Sequence, residues 1–294
     1  MFNLDLIFVA LVWGINFSII KYALSEFDPL SFTVVRFTLA SLFLVFLMLM
    51  KRESLAIDRR DRFSLVRLGF LGITLYSIFF MQGLKYTSAA NSALLISLSP
   101  LFGALIQAAS GREKLTLRIL TGLVTASIGV ALTITSHGAL SFSSSAAIGD
   151  LLTLCATLTW AFYTITAKPL LEKYSAVKVT AYSMIAGSIL LLPVSMPGLI
   201  NQSWSGITMG SWTSLGFSAF IAGGVAYSLW YQGVKKIGVT RTMVYHYLMP
   251  FAAVLFASLF LGERIVISQI IGGAAILGGV YLVQGKAENP KLRG

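Results

Sequence analysis

The sequence predicts an all-α integral membrane protein with ten transmembrane helices in two inverted five-helix repeats. Three observations lead to this fold class: long apolar blocks, a residue pattern that occurs twice, and an uneven distribution of basic residues. Of 294 residues, 56% are hydrophobic and only 11% are charged, and the mean hydropathy is +0.83. Lipid accepts only helices and closed barrels, and a spanning helix needs about 20 apolar residues. The apolar blocks are too long and too uniform for barrel strands.

Ten apolar runs are candidate spans. The first begins at Leu4, with no basic residue before it and no small-residue cleavage site after it, so we interpret it as a retained span rather than a signal peptide. The single cysteine, Cys155, lies inside an apolar run and supports neither a disulfide framework nor a metal site. The predicted spans cover about 4–22, 30–50, 66–85, 88–110, 116–135, 148–168, 177–198, 212–234, 239–261 and 267–284.

One residue pattern occurs twice along the chain at a nearly constant offset. This duplication predicts two units, residues 1–140 and 141–294, with five spans in each. At an offset of 150 positions the pairs are Pro100 with Pro250, Glu113 with Glu263, Gly122 with Gly272, and Gly129 with Gly279; at 147 positions they are Trp13 with Trp160 and Lys21 with Lys168.

Basic residues collect on one side of the predicted helices. With a cytoplasmic N-terminus, eighteen of the 22 Lys and Arg residues lie on the cytoplasmic side, three lie outside, and Arg36 lies within a span. Cytoplasmic loops of membrane proteins are rich in Lys and Arg, so this split indicates the orientation and supports the count of ten spans. The net charge of +11 is therefore mostly a topology signal. We do not expect nucleic-acid binding, because the basic residues are spread over short loops.

An odd number of spans in each unit places the two units in opposite orientations across the membrane. Such inverted repeats are typical of secondary transporters, in which one sequence in two orientations gives two similar states open to opposite sides. A Ser-rich linker near 136–147 would join the two units outside the cell. Duplication without transport is the alternative interpretation.

The repeated pattern resembles a known family. A proline within a helix, a Gly-Glu or Glu-basic pair 12 to 13 residues later and a Gly-rich following helix are similar to the ten-helix EamA-type members of the drug/metabolite transporter superfamily. The resemblance covers essentially the whole chain, although the first copy has Arg112 where the second has Gly262. It implies a multi-pass transporter of amino acids or other small metabolites in the cell inner (cytoplasmic) membrane. It also implies a central cavity lined by helices 1, 3, 4, 6, 8 and 9.

Arg36 is the most costly side chain within the predicted spans. It lies about seven residues from the outer end of helix 2, and a charge at full depth costs roughly 2.5 to 3.5 kcal/mol on insertion scales. No acidic residue lies near the middle of any predicted span. The expected partner is therefore a helix-end carbonyl, a phosphate headgroup or an anionic substrate. Snorkelling or structural pairing, and substrate binding, both stay open.

Deep aromatic and polar side chains predict the walls of the cavity. Trp13 and Asn16 on helix 1 recur as Trp160 and Tyr163 on helix 6, too deep for an interfacial belt. Core packing is the alternative for the tryptophans, and helix-to-helix contact is the alternative for single hydroxyls. The predicted substrate-binding residues are Trp13, Asn16, Arg36, Tyr76, Ser77, Asn91, Ser99, Trp160, Tyr163, Tyr227, Trp230, Tyr231 and His246.

Prolines and one histidine add to this picture. Pro100 and Pro250 remove a backbone donor in the middle of helices 4 and 9, so carbonyls near Ile96 and His246 lose their helical partner. These carbonyls could bind a cation or a substrate amine. The alternative is that the prolines only bend the helices. His246 is either a neutral hydrogen-bonding group or a proton carrier. The glycines of helices 5 and 10 predict close packing of these two helices outside the site.

The remaining patterns narrow the function. The chain has no Gly-Xaa-Ser-Xaa-Gly elbow, no His-Glu-Xaa-Xaa-His motif and no Walker loop, so we predict no enzyme, no cofactor and no metal site. Helix 1 has no carboxylate in its middle; the nearest acids, Asp5 and Asp150, lie at the edges of spans. The missing carboxylate argues against a pump that exchanges protons for cationic drugs.

One buried cation among aromatic rings and hydroxyls matches a solute that carries both a carboxylate and an ammonium group. We therefore predict an alternating-access exporter of amino acids or related zwitterions, present as a monomer or weak homodimer in the lipid bilayer. A channel, a non-transporting membrane scaffold, and an importer of another small organic solute are the alternatives.

Overall fold

The computed structural model describes residues 3–86, 89–135, 144–252, 256 and 266–284. Within these ranges every regular element is helical and no strand occurs, as the sequence predicts. In the part of the chain that the structure describes, six helices are long and apolar enough to cross a membrane, and shorter apolar helices cover Leu94–Ala109 and Leu117–Thr133. The all-helical class is thus confirmed, whereas the inverted ten-span topology stays a prediction.

The first two helices lie within one residue of their predicted bounds. α1 covers Leu4–Ala23 and α2 covers Pro29–Met50. The side chain of Asn3 caps α1 by accepting hydrogen bonds from two backbone N–H groups. Asp28 caps α2 by accepting from the backbone N–H and the hydroxyl of Ser31. Pro29 occupies the first turn of α2, where its missing N–H would have no helical partner.

α3 begins earlier than predicted, at residue 59 instead of about 66. The side chain of Asp58 accepts a hydrogen bond from the Arg60 backbone N–H and so caps the longer helix. The sequence prediction followed hydrophobicity and missed this polar first turn. α3 runs as an α-helix over Arg59–Gly69, a π-helix over Phe70–Leu75 and an α-helix over Tyr76–Tyr86.

α4 is broken, although the sequence predicted one span over about 88–110. One segment covers Ala89–Ile96 and the other covers Ser99–Ala109, with a turn at 97–98. Pro100 therefore lies in the first turn of the second segment and not in the middle of a helix. Since a first-turn residue needs no N–H donor, this proline begins a helix and does not kink one.

Of the next three helices, α5 keeps to its predicted bounds within one residue, whereas α6 and α7 extend past theirs. α5 covers Leu117–Thr135, α6 covers Ser144–Lys173 and α7 covers Ala176–Asn201. Ser175 caps α7 by accepting a hydrogen bond from the Lys178 backbone N–H. The residues that α6 adds to its predicted span include Ser144, Ser145, Glu172 and Lys173, so hydrophobicity alone could not place its ends.

α8 combines α-helical and π-helical segments in the same order as α3. It consists of an α-helix over Met209–Gly216, a π-helix over Phe217–Val225 and an α-helix over Ala226–Ile237. Thr208 caps it through its side chain and lies 150 positions after Asp58, the cap of α3. π-helical turns occur frequently at functional sites, and both of these helices reach the cavity described below.

α9 is irregular at its start. It begins as an α-helix over Val239–Met243, tightens into a 3₁₀-helix over Val244–Tyr247 and continues as an α-helix over 248–252. Pro250 thus lies in the first turn after the 3₁₀ segment, and not within a regular helix as predicted. The second copy of the Gly-Glu-basic pattern, Gly262, Glu263 and Arg264, lies outside the described residues.

α5 packs against α10, which covers Ile267–Gln284. A methyl group added at Gly122 would lie 2.8 Å from the carbonyl oxygen of Gly279, and one at Gly129 would lie 2.6 Å from that of Gly272. The two backbones approach this closely because these positions lack a side chain. The prediction that these are packing helices with small glycine faces is confirmed, and the structure shows that the two faces meet each other.

Among the remaining helices, α2 packs along α7, α3 packs along α6 and α7, and α1 packs along α8. This arrangement brings parts of α1, α2, α3, α4, α6, α8 and α9 to one central space.

Candidate functional site

A cavity of about 80 Å³ occupies this central space. Eight of the thirteen predicted site residues line it, which agrees with the argument that costly polar and aromatic side chains turn inward. The eight are Trp13, Asn16, Arg36, Tyr76, Ser77, Trp160, Tyr227 and His246.

Two tryptophans form the centre of the cavity wall. The rings of Trp13 and Trp160 meet edge to face with centroids 5.6 Å apart, and Tyr227 contacts both at 5.2 and 5.6 Å. Such edge-to-face pairs are favoured by the ring quadrupoles. Trp13 Nε1 donates to the Ala222 carbonyl oxygen at 2.9 Å, whereas Trp160 Nε1 is buried with no hydrogen-bond partner among the described residues. The three rings therefore pack on one another, and one of the two indole N–H groups is left without a partner in the described part of the chain.

A polar contact joins α1 to α8 on the cavity lining. The Ser218 hydroxyl donates to Asn16 Oδ1 at 2.6 Å. Both residues line the cavity. Since the amide oxygen is held by this bond, the orientation of the Asn16 side chain is fixed by a residue of the other predicted repeat.

Arg36 lies with its guanidinium over aromatic rings. Its Cζ is 4.3 Å from the ring centroid of Phe37 and 5.9 Å from that of Phe32, which are cation–π distances. Its Nε is buried and has no hydrogen-bond partner in the described part of the chain. No Asp or Glu is among the described residues that line the cavity. The helix-end carbonyl, one of the three partners that the sequence leaves open, is not found at Nε among the described residues. A buried donor of this kind calls for an explanation, and a ligand is one.

His246 is held between rings and a serine. Its imidazole stacks on Trp160 at 5.3 Å and lies 4.9 Å from Trp230. Its Nδ1 shares a hydrogen bond of 3.0 Å with the Ser99 hydroxyl, while its Nε2 is buried without a partner among the described residues. Ser99 thus fixes the imidazole from behind and leaves Nε2 for another group.

Four predicted residues lie behind the wall instead of on it. They are buried, between 0% and 1% exposed, and they pack on each other or on the wall; Tyr163, for example, lies 5.4 Å from Trp160 and 5.2 Å from Tyr231. Sequence reasoning could not separate the two layers, because both consist of aromatic or polar residues in apolar helices. These four are Ser99, Tyr163, Trp230 and Tyr231; the thirteenth predicted residue, Asn91, has a side chain outside the described residues.

Sequence reasoning also missed part of the lining. Three of the missed residues follow a predicted one by four positions, so they share its helix face; Phe80, for example, stacks on Tyr76 at 5.7 Å. This spacing was a usable signal for those three, whereas an apolar residue in an apolar helix otherwise gives none. The missed lining residues are Ile20, Phe80, Met81, Ile96, Ser218, Ala222, Gly223 and Met249.

The cavity extends toward one end of the helix bundle. Ile20 lies near the last residue of α1, Met81 lies near that of α3, and Ser218 lies in the first part of α8. These ends lie on the side that the basic residues predict to be outside. On the opposite side of the wall, the buried Tyr163 and Tyr231 fill the space.

Comparison with known proteins gives consistent matches over the whole chain. The model of the EamA-like transporter family matches residues 3–135 and again 147–284. The uncharacterized transporter YyaM of Bacillus subtilis is 31% identical over 284 residues, which cover 95% of this chain and 92% of the relative. An uncharacterized transporter of Archaeoglobus fulgidus is 34% identical over 288 residues, 97% of each chain.

A third relative has a more specific name. A probable terminal-alkyne amino-acid exporter of Streptantibioticus cattleyicolor is 25% identical over 281 residues, which cover 95% of this chain and 91% of the relative. A solved crystal structure superposes with a TM-score of 0.83 over 95% of this chain and 96% of the other, at 18% sequence identity. The last comparison shows a shared fold.

Proposed function

Because the chain belongs to the EamA-like transporter family, and is therefore a multi-pass membrane transporter, we propose that it exports amino acids or related zwitterions. The proposed mechanism is alternating access to the central cavity. The substrate class rests on the chemistry of the cavity lining. The direction rests on the relative whose name describes an amino-acid exporter.

The observation that carries the substrate class is the buried Nε of Arg36. It lies at a cavity with no acidic residue in its described lining and has no hydrogen-bond partner among the described residues. A guanidinium prefers planar acceptors that can take two hydrogen bonds, and a carboxylate is such an acceptor. The indole N–H of Trp160, which also has no partner there, is a second donor for the same group.

The rest of the lining suits an ammonium group. The rings of Trp13, Trp160 and Tyr227 lie within 5.6 Å of one another, and ring faces attract a desolvated cation. Ile96 ends the first segment of α4 and also lines the cavity. Backbone at such helix breaks commonly supplies carbonyls to a substrate. A zwitterion satisfies both parts of the cavity without adding net charge to it, whereas a lone cation would be repelled by Arg36.

The proposed alternating access rests on residues 1–140 and 141–294 forming inverted repeats, which would supply two similar states open to opposite sides. Several structural correspondences support this proposal beyond the double match to the family model. The caps of α2 and α7, Asp28 and Ser175, are 147 positions apart, as are Trp13 and Trp160. The composite helices α3 and α8 have their π-helical turns at matching places. The distribution of Lys and Arg supports the proposed orientation, with both termini on the cytoplasmic side.

The test is counterflow in proteoliposomes. Labelled amino acids, their decarboxylated amines and lipophilic cations would be compared with the wild-type protein, Arg36→Lys and Arg36→Ala. We expect saturable counterflow of amino acids and about a tenfold lower apparent affinity in Arg36→Lys, because the lysine keeps the charge but loses the planar fork.

The matched control is Val124→Ala on α5, where the side chain is 44% exposed and outside the cavity lining. It should transport as the wild type does. Preference for amines or cations, or unchanged affinity in both Arg36 variants, would contradict the substrate class. Sustained single-channel currents would instead support the channel alternative.

A further inference from the structure

The start of α3 carries a surface that the cavity does not use. Four arginines of this segment are exposed, and three large apolar side chains beside them are exposed as well. Phe63 is 74% exposed, more than most aromatic residues of the chain. We call these seven residues the α3 face: Arg59, Arg60, Arg62, Phe63, Val66, Arg67 and Phe70.

The side chains of the α3 face have a regular arrangement around the helix axis. At 3.6 residues per turn, Phe63, Val66 and Phe70 fall within about 60° of one another and form an apolar stripe. On the same geometry, Arg60 and Arg67 flank the stripe on one side and Arg62 flanks it on the other. An apolar stripe between arginines at the end of a membrane helix is suited to the boundary between acyl chains and headgroups.

The one acid inside this segment faces away from the arginines. Asp61 is 8% exposed, and its carboxylate accepts hydrogen bonds from Lys173 Nζ at 2.9 Å and from the Tyr174 hydroxyl at 2.9 Å. Its charge is thus paired across to α6, on the inner side of α3. The neighbouring Asp58 caps the helix. The positive charge of the α3 face is therefore not offset by Asp61.

We propose that the α3 face binds the phosphate headgroup of an anionic phospholipid, with Phe63 inserted among the acyl chains. Guanidinium groups bind phosphate through paired hydrogen bonds, and basic clusters just cytoplasmic of a spanning helix attract anionic lipids. A zwitterionic headgroup offers the same phosphate with a neighbouring cation that the arginines repel. The lipid would hold α3 at the point where the Asp61–Lys173 pair joins it to α6.

Other basic residues on the predicted cytoplasmic side provide a matched comparison. Arg112 and Lys114 are also exposed, in the connection between α4 and α5. A general attraction of the whole side to anionic lipid would weaken equally when either pair of charges is removed. A site on the α3 face predicts a loss only for the pair on α3.

The experiment uses the full-length protein in a neutral detergent and measures thermal unfolding during titration with phosphatidylglycerol, phosphatidylcholine or inorganic phosphate. We expect phosphatidylglycerol to raise the unfolding temperature, with little effect of the other two. The double variant Arg60→Gln/Arg62→Gln should lose at least half of that rise, whereas Arg112→Gln/Lys114→Gln should keep it. Equal losses in both variants, or equal rises with the two lipids, would overturn the proposal.

Two further arms separate a lipid from a free phosphate and keep the test independent of variant folding. Phe63→Ala should weaken the response to phosphatidylglycerol but not any response to inorganic phosphate; a full response to phosphate alone would overturn the lipid assignment. In the wild-type protein, raising the salt concentration should shrink the rise, because ions screen exposed charges. A salt-independent rise would also contradict the proposal.

Discussion

Trp13 and Trp160 lie 147 positions apart in the sequence and meet edge to face, with ring centroids 5.6 Å apart and an interplanar angle of 81°. The two indoles differ in one respect. Trp13 Nε1 donates to the Ala222 carbonyl oxygen, while Trp160 Nε1 has no partner among the described residues. Residues that correspond in the repeat therefore have different tasks: one ties α1 to α8, and the other offers a donor at the cavity.

This difference predicts that replacing each tryptophan by phenylalanine affects a different property of the protein. Trp160→Phe should raise the apparent KM for substrate about tenfold, the effect of losing one hydrogen bond to a charged group, and should change stability little. Trp13→Phe leaves a buried carbonyl without its donor and should lower the free energy of unfolding by about 1–3 kcal/mol. Counterflow kinetics and thermal unfolding would measure the two effects. A stability loss confined to Trp160→Phe would contradict the assignment.

Ser99 should act on the site through His246. Removing the hydroxyl in Ser99→Ala deprives the imidazole of the hydrogen bond that orients it at Nδ1, so we expect weaker substrate binding as well as a modest loss of stability. The control is Ser127→Ala, which removes a hydroxyl bonded to the Tyr247 hydroxyl at 2.8 Å, away from the cavity lining. It should cost similar stability without changing affinity. Equal substrate affinities in both variants would contradict a role for Ser99 in substrate binding.

Glu26 should make stability depend on pH. Its carboxylate accepts hydrogen bonds from the Thr208 backbone N–H at 2.8 Å and from the Thr208 hydroxyl at 3.0 Å. The backbone bond is the main reason that the pKa of Glu26 is lowered below its usual 4.5. A lowered folded-state pKa gives stability that is present above the unfolded pKa and is lost as the pH falls through the folded pKa.

The measurement compares unfolding temperatures of the wild-type protein and Glu26→Gln at neutral pH and at pH values below about 4.5. The wild-type protein should be the more stable at neutral pH, and the difference should shrink on acidification. Because other acids titrate in both proteins, only the difference between them reports on Glu26. A difference that grows on acidification would have the wrong sign.

Alternating access predicts that two residues lining the cavity come together in the opposite state. Tyr163 and Tyr231 pack 5.2 Å apart on the closed side of the wall. Their repeat counterparts, Asn16 and Met81, line the cavity on its open side. If the repeats exchange conformations, Asn16 and Met81 should come together when the opposite side opens.

Cysteine pairs would test this in a Cys155→Ser background. A short bifunctional reagent should link Asn16→Cys to Met81→Cys in a fraction of molecules and stop transport, with substrate changing that fraction. The pair Tyr163→Cys/Tyr231→Cys, linked in the same way, should trap the conformation described above. Normal transport with no crosslink at Asn16 and Met81 under any condition would contradict the exchange.

The orientation can be checked in intact cells. Single cysteines at Ser205 and Ser54, two exposed positions, are predicted to lie outside and inside respectively, because the basic residues gather on the side of Ser54. An impermeant maleimide should label Ser205→Cys and leave Ser54→Cys unlabelled until the cells are broken. The reverse pattern would invert the topology.

The sequence was most informative about which residues lie within the apolar helices. Hydrophobicity along the chain set the bounds of α1 and α2 to within a residue, and the cost of burying Arg36 was enough to predict that it faces a cavity. It failed at ends that hydrogen bonds define, such as the start of α3 at the Asp58 cap, since a polar first turn has no hydrophobic signal.

The sequence by itself determined that the chain is helical, which side chains turn away from lipid, and which helices pack through glycine. These properties depend on composition and on spacing along one helix, so local sequence contains them. Only the tertiary structure decided that Trp160 lines the cavity while Tyr163, three residues later, fills the layer behind it. That choice depends on how α3, α6 and α8 are rotated against each other, which is set by contacts between residues far apart in the chain.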